Sequence, residues 1–123
     1  MKADNFFPVS YSMPHHPKVE NLRDICGGVL AVGQWVILLC LLYDYEGEIE
    51  LTTLNRRMLA RELETDDLDG YLNALADCKL IDKGFLDAGF VTSRGVCDQL
   101  EYKRQKSEAG KKGMSKRWNK SSE

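Results

Sequence analysis

The segment GGVLAVGQWVILLCLLY (Gly27–Tyr43) carries no charged residue, and Gln34 is its one strongly polar side chain. Its seventeen residues reach the short limit of a membrane-spanning helix. Two glycines at its start, Gln34 inside it and the acidic DYEGEIE that follows at once argue against a span. An apolar helix outside lipid has to be covered by the rest of the chain on nearly every side. The remaining elements are therefore expected to surround one central helix from about Leu30 to Glu46, ended by Gly47. A chain of 123 residues supports one such core, not two.

Before that helix, Pro8, Pro14 and Pro17 oppose helix continuation, so residues 1–16 read as an irregular arm. His15 and His16 fall in it, with no Cys, Asp or Glu close enough in sequence to complete a metal site. Pro17 suits the first turn of a helix whose apolar positions are Val19, Leu22 and Ile25 or Cys26, stopped by Gly27–Gly28. After the central helix, Glu48-Ile49-Glu50-Leu51 alternates with period two and predicts a short strand. Thr52 or Thr53 then caps a third helix with Leu59, Ala60 and Leu63 inward and Arg57 and Arg61 on its other side.

A fourth helix is expected after Thr65. Asp66, Asp67 and Asp69 suit the positive end of its dipole, and Leu68, Tyr71, Leu72 and Leu75 form its apolar stripe. Lys83–Leu86 and Phe90–Thr92 bracket Asp87-Ala88-Gly89 and read as a hairpin. A last helix opens near Ser93 with Val96, Cys97 and Leu100 facing the body. Trp35, Leu39, Leu59, Leu72 and Leu75 are expected to meet in one core beneath the hairpin.

This order defines a mainly α fold with a small β hairpin. It is that of a winged helix-turn-helix, with an extra N-terminal helix and a C-terminal helix running into a basic tail. Residues 17–102 form the expected winged-helix domain, and residues 103–123 a basic helical extension or tail. Gly110 and Gly113 each cost about 1 kcal/mol inside a helix, so that extension is expected to fray.

No catalytic constellation is present, neither a nucleophile elbow nor a phosphate loop, and the chain reads as a non-enzyme without cofactor. Cys26, Cys40, Cys78 and Cys97 match no ligand spacing and read as reduced thiols, with no disulfide and no metal. MKADNFFPVS lacks the apolar core of a signal peptide, so the expected location is the cytoplasm, with no membrane partner.

Charge is the informative property. Residues 1–102 carry nine Lys/Arg against seventeen Asp/Glu, whereas residues 103–123 carry eight against two. Lys103, Arg104, Lys106, Lys111, Lys112, Lys116, Arg117 and Lys120 fall within eighteen residues. Such density binds phosphates through counterion release whatever the base sequence. Arg57, Arg61, Lys79, Lys83 and Arg94 are further candidates to straddle a nucleic-acid backbone. The second helix of a helix-turn-helix commonly enters the major groove. Here its outward positions are Asp66, Gly70, Asn73 and Asp77, of which only Asn73 resembles a base reader.

Several stretches resemble a known family: FFP (Phe6–Pro8), PKVENLRD (Pro17–Asp24), VGQWVILLCLLYDYEG, LAREL (Leu59–Leu63) and KSEAGKKGMSKRW (Lys106–Trp118). They are similar to the N-terminal domain of phage replisome-organiser proteins, DnaD-like replication initiators of bacterial phages, prophages and mobile elements. The resemblance implies a winged helix, binding of duplex or single-stranded DNA, and a bacterial cytoplasmic setting. It also implies helicase or other replication proteins as partners. Two alternatives stay open: a small transcriptional regulator, or a protein-interaction module that dimerises or docks through the winged helix.

Overall fold

The computed structural model describes the backbone of residues 9–121 and the side chains of residues 9–107. A 3₁₀ turn at Met13–His15 leads into α1 (Pro17–Ile25). His16 caps that helix, its Nδ1 accepting from the Lys18 N–H at 3.2 Å, and Pro17 sits in the first turn, where its missing donor is not needed. The glycine pair turns the chain into α2 (Val29–Asp44). β1 (Glu48–Glu50), α3 (Thr53–Glu62), α4 (Leu68–Asp77), α5 (Lys83–Asp87), β2 (Phe90–Thr92) and α6 (Arg94–Ser121) follow. The fold is mainly helical with one small two-stranded antiparallel sheet.

The core forms where the apolar patterns converge. Trp35, Leu59, Leu72 and Leu75 are buried in one cluster with Leu22, Leu38, Leu63, Tyr71 and Val96, and Leu39 packs against it half-buried. Each fully buried aliphatic side chain contributes about 1.5–3 kcal/mol relative to exposure. Ile49 and Val91, paired across the sheet, are fully buried in the same cluster. Two polar side chains enter it with partners. Gln34 Nε2 donates to the Leu63 carbonyl at 2.7 Å, and Tyr71 Oη donates to the Ala31 carbonyl at 2.9 Å.

Three expectations change. The Lys83–Leu86 strand does not form, because the Asp82 carboxylate accepts from the Phe85 N–H at 3.0 Å and starts the short helix α5. Phe90–Thr92 pairs instead with Glu48–Glu50, in the register Glu48↔Thr92, Ile49↔Val91, Glu50↔Phe90. The local hairpin is thus replaced by a ladder between distant segments. Second, α2 is covered on one side only: Ala31, Trp35, Leu38 and Leu42 are buried, whereas Val29, Leu30 and Ile37 are exposed. Third, α6 continues unbroken from Arg94 to Ser121, through Gly110 and Gly113 and across position 103. Its length is about 42 Å at 1.5 Å per residue.

α6 leaves the sheet over Gly47. A Cβ at that position would lie 3.2 Å from Cys97 Sγ and 3.3 Å from Leu100 Cδ1, at a φ of +95°. Both the close approach and the left-handed conformation require glycine there. Among the described residues no helix is long and apolar enough to cross a membrane.

Candidate nucleic-acid interface

The α3–α4 pair is set by its caps. Thr52 Oγ1 accepts from the Asn55 N–H at 3.1 Å to start α3, and Asp67 Oδ1 accepts from the Gly70 N–H at 3.0 Å to start α4. With Leu68, Tyr71, Leu72 and Leu75 turned inward, α4 shows Asp69, Gly70, Asn73 and Asp77 to solvent, just after exposed Asp66. Arg56 is ion-paired to Asp69 and ties α3 to α4. Arg57 borders a shallow recess with Asp66, Asp67 and Asp69. Arg61 Nη2 lies 3.4 Å from Glu62 Oε1. Asn73 borders a second recess with Asp69 and Asp87. Three aspartates, Asp66, Asp67 and Asp69, share the first recess with Arg56 and Arg57. Arg57 and Asn73 therefore lie in recesses that share Arg56 and Asp69, whereas Arg61 lines neither.

Lys79 and Arg94 are brought together elsewhere. They line one cavity of about 560 Å³, joined by Lys18, with His15 and His16 beside them and Trp35, Leu39 and Val96 among its apolar walls. No Asp or Glu lines this cavity among the described residues. Lys79 sits in the left-handed region (φ +62°) at the end of α4. Arg94 is the first residue of α6, with its Nε 4.0 Å from Asp98 Oδ2. Lys83 is exposed at the start of α5 and does not line the cavity. Lys18 was missed by sequence reasoning, since only tertiary folding brings α1 beside the start of α6.

Along α6, Val96 is buried and Leu100 half-buried. From Glu101 to Ser107 every side chain is exposed except half-buried Lys103. Arg104 hydrogen-bonds the Glu101 carboxylate, and this contact holds the Glu101 pKa below its ordinary value. Lys106 is exposed. Lys111, Lys112, Lys116 and Arg117 belong to the α6 backbone, and their side chains, like those of Met114 and Trp118, lie outside the described residues. The four cysteines are free. Among the described residues no group of His, Cys, Asp and Glu is placed to hold a metal ion.

Cationic residues thus stand at the start of α6 and recur from Lys103 onward, whereas α4 carries none. No protein-family model, no curated protein and no solved structure matches the chain.

Proposed function

We propose that this chain binds nucleic acid by gripping phosphates along α6, and that α4 serves the fold rather than reading bases. The observation that carries this reading is the density of eight Lys/Arg from Lys103 to Lys120, opposed there by Glu108 alone, on a helix continuous with the folded body. Released counterions make such a segment bind DNA with little regard to sequence. Lys18, Lys79 and Arg94 extend the cationic path to the opposite end of the same helix. The acidic remainder of the body keeps other faces off the phosphates.

On this reading α3 and α4 are the helix-turn-helix of a winged-helix domain whose wing is reduced to the β1–β2 ladder. The stretches Phe6–Pro8 and Lys106–Trp118 support a role in replication initiation or replisome organisation of a phage or mobile element. Duplex or single-stranded DNA is then the primary partner, helicase or other replication proteins are secondary ones, and the setting is the bacterial cytoplasm. The chain performs no catalysis in this role.

The test is a binding titration with duplex and single-stranded DNA across salt concentrations, for the intact chain and for one lacking residues 103–123. Loss of most of the affinity, with a flatter salt dependence, is the expected result. Equal binding by both would reduce the segment to a solubilising extension. Failure of both to bind would favour the protein-interaction reading.

A further inference from the structure

The side of α2 turned away from the core is apolar. Val29 is 71% exposed, Leu30 66% and Ile37 41%, and Cys40 is exposed as well. At about 100° per residue, these four positions and Gly33 share one arc of roughly 100°. The buried residues Ala31, Trp35, Leu38 and Leu42 occupy the opposite arc. No charge interrupts the exposed strip before Asp44.

Two further features of α2 have no explanation within one chain. Gly33 lies in the middle of the strip, where a Cβ would meet nothing within 4 Å. Glycine is a poor helix former, and neither backbone conformation nor close packing inside this chain requires it. The N-terminus of α2 is also unattended. Its N-cap is Gly28, which offers no side chain, and no acidic residue occupies the first turn.

We infer that this strip is the interface of a homodimer in which α2 packs antiparallel against α2 of a second copy. A two-fold axis facing position 35 accounts for all three observations. Ile37 of one copy fills the notch above Gly33 of the other, and the reciprocal contact forms automatically. Leu30 faces Cys40 across the same axis. Asp44 of each copy reaches the uncapped, positive N-terminus of the opposing helix near Cys26–Gly28. A parallel arrangement would instead set Asp44 against Asp44 and leave both N-termini unattended.

The occupant is a second copy because the strip is complementary to itself. Knob and notch, and acid and helix N-terminus, lie at equal distances on either side of one point. Three turns of one helix, about 17 Å by 10 Å, are small beside the roughly 800 Å² per partner of a standard interface. The dimer is therefore expected to be weak and to build up only as the chain concentration is raised.

The test uses the full chain without nucleic acid, in sedimentation equilibrium over a rising series of chain concentrations. It compares the wild type with Ile37→Glu and Gly33→Leu, each folded by circular dichroism. Both substitutions fall at exposed positions, so the fold tolerates them. The wild type should dimerise, and either substitution should raise the dissociation constant by about tenfold or more, as loss of a central interface contact does. Mild oxidation adds an independent readout of orientation. Leu30→Cys should cross-link to Cys40 of the second copy, identified by peptide mapping, whereas the wild type should give no Cys40–Cys40 bond. A wild type that stays monomeric throughout, variants that associate as it does, or a Cys40–Cys40 cross-link would each overturn the proposal.

Discussion

Tyr71 shows how one polar atom is accommodated in the core. Its hydroxyl donates to the Ala31 carbonyl at 2.9 Å, and burial, with a smaller effect from Cys26, pushes the phenol pKa well above its ordinary value. The folded chain therefore keeps this proton at pH values where the unfolded chain loses it. The stabilisation is complete below about pH 10, the ordinary phenol value, and declines as pH rises above it. Burial raises Tyr43 and Cys78 in the same direction. Urea midpoints are accordingly expected to fall in alkali. Tyr71→Phe should cost about 1 kcal/mol at neutral pH and then fall less steeply than the wild type. An equal alkaline slope in both would remove Tyr71 as the source. Gln34 teaches a related lesson. Its polarity within an apolar run was visible in the sequence, but its partner, the Leu63 carbonyl, lies 29 residues away. Gln34→Leu leaves that carbonyl without its donor and should lower stability by about 1–3 kcal/mol in denaturant titrations.

At the scale of elements, the apolar stripe of α4 and the Thr52 cap of α3 were legible because both signals are local and strong. Helix ends were less so. Gly47 marks the end of α2, yet Glu46 is the residue that first turns left-handed, at φ +59°. α3 and α4 end in the same way on Glu64 (φ +50°) and Lys79 (φ +62°). In each case the following N–H reaches back to a carbonyl of the last turn, Gly47 to Leu42, Thr65 to Ala60 and Leu80 to Leu75. Glycine is the usual residue at such positions, since a side chain in the left-handed region costs roughly 1–2 kcal/mol. Part of that gain is offset by the entropy of an unfolded glycine. Glu64→Gly should therefore raise stability by about 0.5–1 kcal/mol, read as a higher urea midpoint with unchanged slope. A decrease would mean that the Glu64 side chain itself supports the turn. The missed helix α5 has a similar origin: Lys83–Asp87 has too few residues to show helical periodicity, and its one signal is the Asp82 cap.

For the whole molecule, charge is divided between an acidic body and a basic helix, and this division was plain in the sequence because it is a local density. The grouping of Lys18, Lys79 and Arg94 was not, since it depends on α1, the end of α4 and the start of α6 meeting at one cavity. The acidic setting of Arg57 was likewise invisible until Asp66, Asp67 and Asp69 were placed beside it, whereas Glu62 adjoins Arg61 in the sequence itself. These placements rank the cations by their expected use. If about four to six charges of residues 103–123 neutralise phosphates, log affinity for duplex DNA should fall with log salt at a slope of about −4 to −5 from that segment. Alanine at Lys18, Lys79 and Arg94 together removes at most three contacts, so the slope should flatten by no more than about 3. Arg57→Ala with Arg61→Ala should flatten the slope less than that triple does, because Asp66, Asp67 and Asp69 border the recess of Arg57 and Glu62 lies 3.4 Å from Arg61. Asn73→Ala should leave discrimination between duplex sequences unchanged, because Asp69 and Asp87 border the recess it lines. Parallel titrations of these variants separate the two arrangements. A flatter slope from the α3 pair, with none from the cavity triple, would move the DNA to the α3–α4 face and return α4 to the groove.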